Sequence, residues 1–385
     1  MSDSAVRALN AIQNAKASLV ALSEAIHAQP ELSFEEYASS ALTANVLRSA
    51  GFEVVEGIAE LPTAFEATYG TGSLVLAIIA EYDALPQVGH ACGHNLIAAA
   101  AVGAGIGLRE VADELDLTIK VLGTPAEEAG GGKVLMLERG IFDGIHAAMM
   151  IHPWSFDRLE SACLAVDQFE VTFRGTPAHA SAAPHQGINA GDAMTLAQVA
   201  IGLLRQQLNP GDQVHGIVVS GGSAANIIPD LVTGRFMCRS TTIEGLRALR
   251  PRIDRCFEAA ALATGTTLEM TAMGPSYSHL DQDPDLLTLF RAHAEARGRS
   301  FVADDTGAPK PCYSTDMANI SLAVPSIHPL LGIDTHGAVN HQPEFTQACI
   351  GESAELALMD GAIAMALTAV DAAQDSALRH RLLAG

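Results

Sequence analysis

The chain has 385 residues, 49% hydrophobic and 17% charged, which supports a large core and excludes a mainly disordered polymer. At about 100–200 residues per domain, that length points to two or three domains, or one large domain with an insertion. Lysine and arginine number 22 against 44 acidic residues, a formal charge of −22 that makes nucleic acid and anionic membranes poor partners.

Val6, Leu9, Ile12 and the apolar positions after them predict a helix to about Ala28. Ser33 and Glu36 have capping-box spacing, which predicts a second helix to about Ala50. Leu74 to Ala80 is a continuous apolar run of strand length, as in a strand buried on both faces. Asn95 to Val111 reads as a small-residue helix packed tightly on a sheet, and Leu117–Leu122 and His146–Ile151 as further buried strands. This alternation predicts an α/β sheet with helices on both faces.

The texture changes near Asp167. Gln168 to Phe173 alternates like a half-exposed strand, and a helix from about Ala190 to Leu208 follows. Strands at Val214–Ser220 and Leu231–Cys238, a helix from Thr242 to Thr264 and a strand at Thr267–Thr271 complete a β-α-β-β-α-β, ferredoxin-like unit. After Tyr277 the α/β texture returns, with an apolar segment at Val324–Leu331 and a long helix from about Phe345. The expected organisation is a catalytic α/β domain in two parts, residues 1–166 and 278–385, interrupted by a smaller α+β domain at residues 167–277. No apolar run reaches the ~20 residues of a spanning helix, and the first residues lack the basic start and apolar block of a signal peptide. A cytoplasmic protein is expected.

The cysteines are Cys92, Cys163, Cys238, Cys256, Cys312 and Cys349, scattered without a CxxC pair, as expected of reduced thiols. All but Cys92 read as core residues. The lysines are Lys16, Lys120, Lys133 and Lys310.

Cys92 stands in His90-Ala91-Cys92-Gly93-His94-Asn95, between a loop and the small-residue helix. A thiolate and an imidazole two positions apart can face one ion from an extended backbone, and they suit Zn²⁺ or a similar divalent metal. Alone the pair is weak, because buried Cys and His are common. The Leu117–Leu122 strand runs into Gly123-Thr124-Pro125-Ala126-Glu127-Glu128, two adjacent carboxylates where open α/β sheets place ligands. In isolation they read more readily as an acidic first turn of a helix. Yet the next strand ends in His152, and the segment from Gly332 to Phe345 supplies His336 and His341. Ligand-type residues at several successive strand ends are hard to explain as packing.

Taken with His27-Ala28-Gln29-Pro30-Glu31-Leu32, Asp83-Ala84-Leu85-Pro86, Gly175-Thr176-Pro177-Ala178-His179-Ala180 and Ser314-Thr315-Asp316-Met317, these segments resemble the M20 metallopeptidase/amidohydrolase family, in its Cys-Gly-His branch. The resemblance runs nearly end to end and is strongest toward the p-aminobenzoyl-glutamate hydrolase and M20 domain-containing protein 2 group. It implies two divalent ions per chain, Zn²⁺, Mn²⁺ or Co²⁺, held by Cys92, His94, Glu128, His152 and His341, with His336 the rival of His341. Glu127 would be the general base, and Asp83 the acid that supports the centre from behind. Glu81 falls where other branches carry a metal-binding His. The inserted domain would be a lid and dimer contact. From it, His179 would stabilise the oxyanion in the neighbouring chain, while Asn226 and Arg239 would touch substrate. Without the resemblance, His179 reads as a surface-loop histidine, and Arg239 reads equally as a strand-end ion pair.

The implied activity is hydrolysis of the amide in N-acyl amino acids, dipeptides or aminobenzoyl-amino-acid conjugates with a free carboxylate, by a homodimer. One rival keeps the metal site but removes an amine from an aromatic ring; another is a catalytically silent binding protein.

Overall fold

The structure, a computed structural model, describes residues 1–301 and 312–384. Lys310 and the side chain of Cys312 lie outside the described residues. The chain divides into two compact units, Met1–Ala162 with Leu280–Gly385, and Cys163–His279.

The larger unit is built on six strands in the order Glu53–Glu56, Phe65–Tyr69, Leu117–Thr124, Leu74–Glu81, Ala147–Met149 and Ser326–Ile327. The first two pairings are antiparallel and the other three parallel. Central residues such as Ile78, Ile79, Val121 and Leu122 are fully buried, which is why their strands read as unbroken apolar runs. Helix His94–Arg109 lies tight against this layer because its glycines leave room. A Cβ on Gly105 would stand 2.7 Å from Val121 Cγ2, and one on Gly103 would stand 2.9 Å from the Ala362 Cβ of the long C-terminal helix. The three longer parallel strands end along one edge, at Glu81, Thr124 and Met149, and the chain leaving that edge carries the candidate site.

The C-terminal helix Glu352–Gln374 is long and apolar enough to cross a membrane by length and composition, with mean hydropathy 1.6, but 89% of that window is buried within the protein. Its one buried acid, Asp360, is ion-paired with Arg297 and Arg299. It is a core helix.

Several elements differ from the sequence expectation. The first helix is two, Asp3–Asn14 and Lys16–Ala28, with Ser18 Oγ donating to the Ala15 carbonyl at the break. Ser33 and Glu36 do not form a capping box. The helix starts at Tyr37, and Glu31 takes the amides of Ala38 and Ser39 instead. Glu36 is buried and accepts from the amides of Phe34 and Ala126 and from Thr63 Oγ1, so it ties the Ala126 turn to the strand layer. The C-terminal helix is preceded by a short one, Pro343–Ala348, because Gly351 at φ 87° breaks the run. Cys256 is half-buried rather than a core residue.

The smaller unit is an antiparallel sheet in the order Thr267–Ala272, Ala165–Arg174, Leu231–Ser240, Gln213–Ser220. Helices Ala190–Leu204 and Ile243–Thr264 share one core with it, centred on Phe169, Phe173, Phe236 and Phe257. This is the β-α-β-β-α-β arrangement read from the alternation.

Burial raises the Glu36 carboxyl from 4.5 to about 7, helped by the charge of Asp83 and opposed by its three hydrogen bonds. Between those two values the unfolded chain has released a proton that the folded chain keeps, so this group's contribution to stability falls as pH rises. A glutamine can accept from both amides and donate to Thr63. Melting temperatures of Glu36→Gln should therefore decline less than those of the wild type between pH 4.5 and 7. Parallel declines would show that Glu36 titrates normally.

Candidate metal centre

The centre lies where the parallel strands of the larger unit end. Past Glu81 the chain turns through Asp83 and the loop to Gly93, which takes φ 75° and opens helix His94–Arg109. Past Thr124 it turns through Ala126, a non-glycine residue held at φ 60° by the Glu36 contact and by the Gly131 amide on its carbonyl. Strain of that kind persists only where its surroundings enforce it. The turn delivers Glu127 and Glu128. Past Met149 the chain delivers His152, and His341 is brought in by its amide bonding to the Ala91 carbonyl at 3.1 Å.

Donor atoms of Cys92, His94 and His152 lie within 4.8 Å of one another, as do those of Cys92, Glu128 and His341, and those of His94, Glu127 and Glu128. His341 Nε2 is 3.7 Å from Glu128 Oε2, whereas His336 is exposed and paired with Asp334 at 3.2 Å. The structure thus gathers His341, not His336, into the cluster. His152 Nδ1 lies 2.8 Å from the Pro153 carbonyl, which can only accept, so Nε2 keeps the lone pair. Asp83 Oδ1 holds His94 Nδ1 at 3.0 Å and leaves His94 Nε2 open in the same way. His94 Nε2 and Glu128 Oε1 are buried without a hydrogen-bond partner among the described residues. Thiol, imidazole and carboxylate donors with unspent lone pairs fit a borderline divalent metal.

The electrostatics point the same way. Burial raises Glu127 well above the usual carboxylate range, and the charges of Glu128, Glu81 and Asp316 raise it further. Burial also raises Glu128, with Asp83 adding to it. Burial and the charge of Glu128 raise the Cys92 thiol. Burial opposes charge on Asp83 as well, but the His94 hydrogen bond and charge, the Glu128 amide and Lys133 overcome it and lower Asp83 to about 2. Burial pushes His152 down to about 3, which keeps it neutral. A cation in this cluster relieves most of these costs at once.

Sequence reasoning missed the layer beneath the cluster. Lys133 is fully buried and ion-paired with Glu81 and with Asp316, whose Oδ1 is 2.6 Å from Nζ. Asp316 also accepts from the Lys133 amide at 2.9 Å. Ser33 donates to Asp83 at 3.0 Å, and the His328 ring lies 5.5 Å from that of His152. A lone lysine in a chain with so few is the only sequence signal for this layer.

The smaller unit holds the other three candidates. His179 is exposed, and its Nδ1 accepts from the Ser181 and Ala182 amides at 3.3 and 3.2 Å. The Asn226 carbonyl accepts from the Ala180 amide at 2.9 Å, which joins the two loops. Arg239 lies in strand Leu231–Ser240.

The profile described as Peptidase family M20/M25/M40 matches residues 77–359. The chain is 36% identical over 379 residues to a Xaa-Arg dipeptidase of Mus musculus, covering 95% of this chain and 88% of that one. It is 33% identical over 269 residues to a p-aminobenzoyl-glutamate hydrolase polypeptide of Escherichia coli (strain K12), covering 64% and 56%. Among solved structures, a dinuclear metal binding peptidase from the M20 family of Bacillus subtilis superposes with TM-score 0.69 at 23% identity, covering 93% and 99%. An aminobenzoyl-glutamate utilization protein from Klebsiella pneumoniae gives TM-score 0.72 at 19% identity, covering 93% and 97%.

Gly93 separates Cys92 from His94, and a Cβ there would stand 2.8 Å from Pro153 Cγ at φ 75°. Gly93→Ala should lower stability by about 1–3 kcal/mol, the usual cost of such strain, and weaken Co²⁺ binding by calorimetry. Gly265→Ala has a similar φ of 73° but nothing within 4 Å, so it should cost stability alone. Unchanged Co²⁺ binding in Gly93→Ala would detach this loop from the centre.

Proposed function

The chain belongs to peptidase family M20/M25/M40, and from that premise we propose that it is a dinuclear metal-dependent amidohydrolase. It hydrolyses the amide of N-acyl amino acids, dipeptides or aminobenzoyl-amino-acid conjugates that carry a free carboxylate. The observation that carries this reading is the convergence of Cys92, His94, Glu127, Glu128, His152 and His341, with buried lone pairs on His94 and Glu128 left unspent.

Cys92, His94, Glu128, His152 and His341 would hold the two ions, Zn²⁺, Mn²⁺ or Co²⁺. When bound, such ions acidify water and polarise the amide carbonyl. Asp83 fixes the His94 tautomer so that Nε2 faces the cluster. Glu127, raised by burial and by neighbouring charge, takes the proton of the attacking water and passes it to the departing amine. Its carboxyl stays within the centre while Glu128 is committed to holding an ion. From the smaller unit, His179 donates to the developing oxyanion, Arg239 pairs with the substrate carboxylate, and Asn226 lines the substrate.

The assembly we propose is a cytoplasmic homodimer joined through the smaller unit, with His179 serving the centre of the partner copy. Its support is an edge strand, Gln213–Ser220, that exposes Ile217, Val218 and Val219, and a helix that exposes Leu196, Val199 and Leu203. Unpaired edges of this kind are templates for a second chain.

Glu127→Gln should keep its metal and lose about two to four orders of magnitude in turnover of an acyl-amino-acid or dipeptide panel, the range of general acid–base catalysis. Glu128→Gln should lose metal by elemental analysis. The reverse pattern would exchange their roles, and release of ammonia from an aromatic amine without an amino acid product would replace amide hydrolysis with deamination.

Light scattering should return a dimer, and Ile217→Lys should shift it toward monomer. Mixed heterodimers of Glu127→Gln and His179→Ala should regain about half the activity per dimer, because one centre then receives both intact groups. Proven heterodimers without recovery would end the proposed exchange between copies.

A further inference from the structure

Glu81 and Lys133 are both fully buried, and neither has a part in the chemistry above. Glu81 uses one oxygen, Oε1, on Lys133 Nζ. Its other oxygen, Oε2, accepts no hydrogen bond among the described residues and lies 3.5 Å from His94 Nε2. That is closer than Glu127 Oε2 or Glu128 Oε1, each at 4.0 Å. Because Nδ1 of the same ring is spent on Asp83, the neutral His94 ring turns a lone pair toward a carboxylate oxygen with no hydrogen between them. Two buried acceptors face to face repel, and a cation beside them turns the repulsion into attraction. Donors about 2.0–2.2 Å from one tetrahedral ion stand roughly 3.4 Å apart, close to the separation seen here.

We propose that Lys133 is a positioning residue of the centre: it fixes Glu81 so that a second carboxylate oxygen is set against the open nitrogen of His94, and this raises the affinity of that site for a divalent cation. Asp316 completes the clamp by taking both the Lys133 amide and Nζ. The arrangement places a carboxylate where the related branches carry a histidine, and the lysine prevents it from swinging away. This inference rests on the metal reading above.

The test is Co²⁺ titration, read by competition with a chelator and by the visible d–d bands, on the double variant Lys133→Met/Glu81→Gln. One positive and one negative charge are removed together, so the net charge of the cluster is unchanged, and Asp316 keeps the backbone amide at position 133. Co²⁺ affinity should fall about 10–100-fold, the range for groups that orient a metal site, with shifted d–d bands and a retained thiolate-to-cobalt band from Cys92. Asp316→Asn leaves the Lys133–Glu81 pair in place. It should lower the melting temperature while holding Co²⁺ affinity within a few-fold.

Wild-type affinity and spectrum in the double variant would overturn the inference and leave the metal reading intact. An Asp316→Asn loss as large as that of the double variant would make the effect structural and also overturn it. A wild-type protein that shows no cobalt–thiolate band would end the metal reading and this inference together. If the double variant does not fold, Glu81→Asp keeps the charge and withdraws the oxygen. The same band shift then supports the placement, and an unchanged spectrum refutes it.

Discussion

One buried carboxylate, Asp83, holds the candidate centre together. Its Oδ1 takes His94 Nδ1, and its Oδ2 takes both the Glu128 amide and the Ser33 hydroxyl, each at 3.0 Å. Three separate stretches of chain are fixed by two oxygen atoms. The cost of burying that charge is offset because all its partners donate, two of them from groups that need orientation. Removing such a group leaves buried donors unpaired as well as a histidine free to rotate, so its effect exceeds that of one hydrogen bond.

The rest of the centre is arranged as an unfinished electrostatic assembly. Glu81, Glu127 and Glu128 crowd one edge of the sheet, and the cations among the described residues nearby are Lys133 and the imidazoles. Burial keeps Cys92 protonated and His152 neutral, while His94 is driven the other way by its hydrogen bond to Asp83 and the surrounding acids, against the cost of its own burial. A dication is the simplest completion of such a set, since a coordinated thiol gives up its proton outright. The Ala126 and His341 backbones, both at positive φ, hold their side chains in place at a conformational cost that the surrounding contacts sustain.

The sheet does the positioning. Parallel strands must end on the same edge, and the connections between them must pass over a face, so Glu81, Glu127, Glu128 and His152 arrive together from places up to some seventy residues apart in sequence. The small-residue helix His94–Arg109 brings its first turn to that edge because its glycines let it approach the layer at distances a larger side chain would forbid.

The sequence by itself determined the fold class, the alternation that marks the smaller β-α-β-β-α-β unit, and the metal-capable residues, because periodicity and residue chemistry are local properties. Cys92 and His94 are two residues apart, and Glu127 and Glu128 are adjacent, so each pair can be recognised in a short window. Only the tertiary structure decided that His341 rather than His336 joins them, since both lie in one irregular loop and the choice depends on a hydrogen bond to Ala91. Only the tertiary structure moved Glu36 from a cap to a buried clasp, because Glu31 reached the helix amides first. The Glu81–Lys133–Asp316 layer was invisible for the same reason: its members come from a strand end, a helix start and a loop far along the chain, and nothing local requires them to meet.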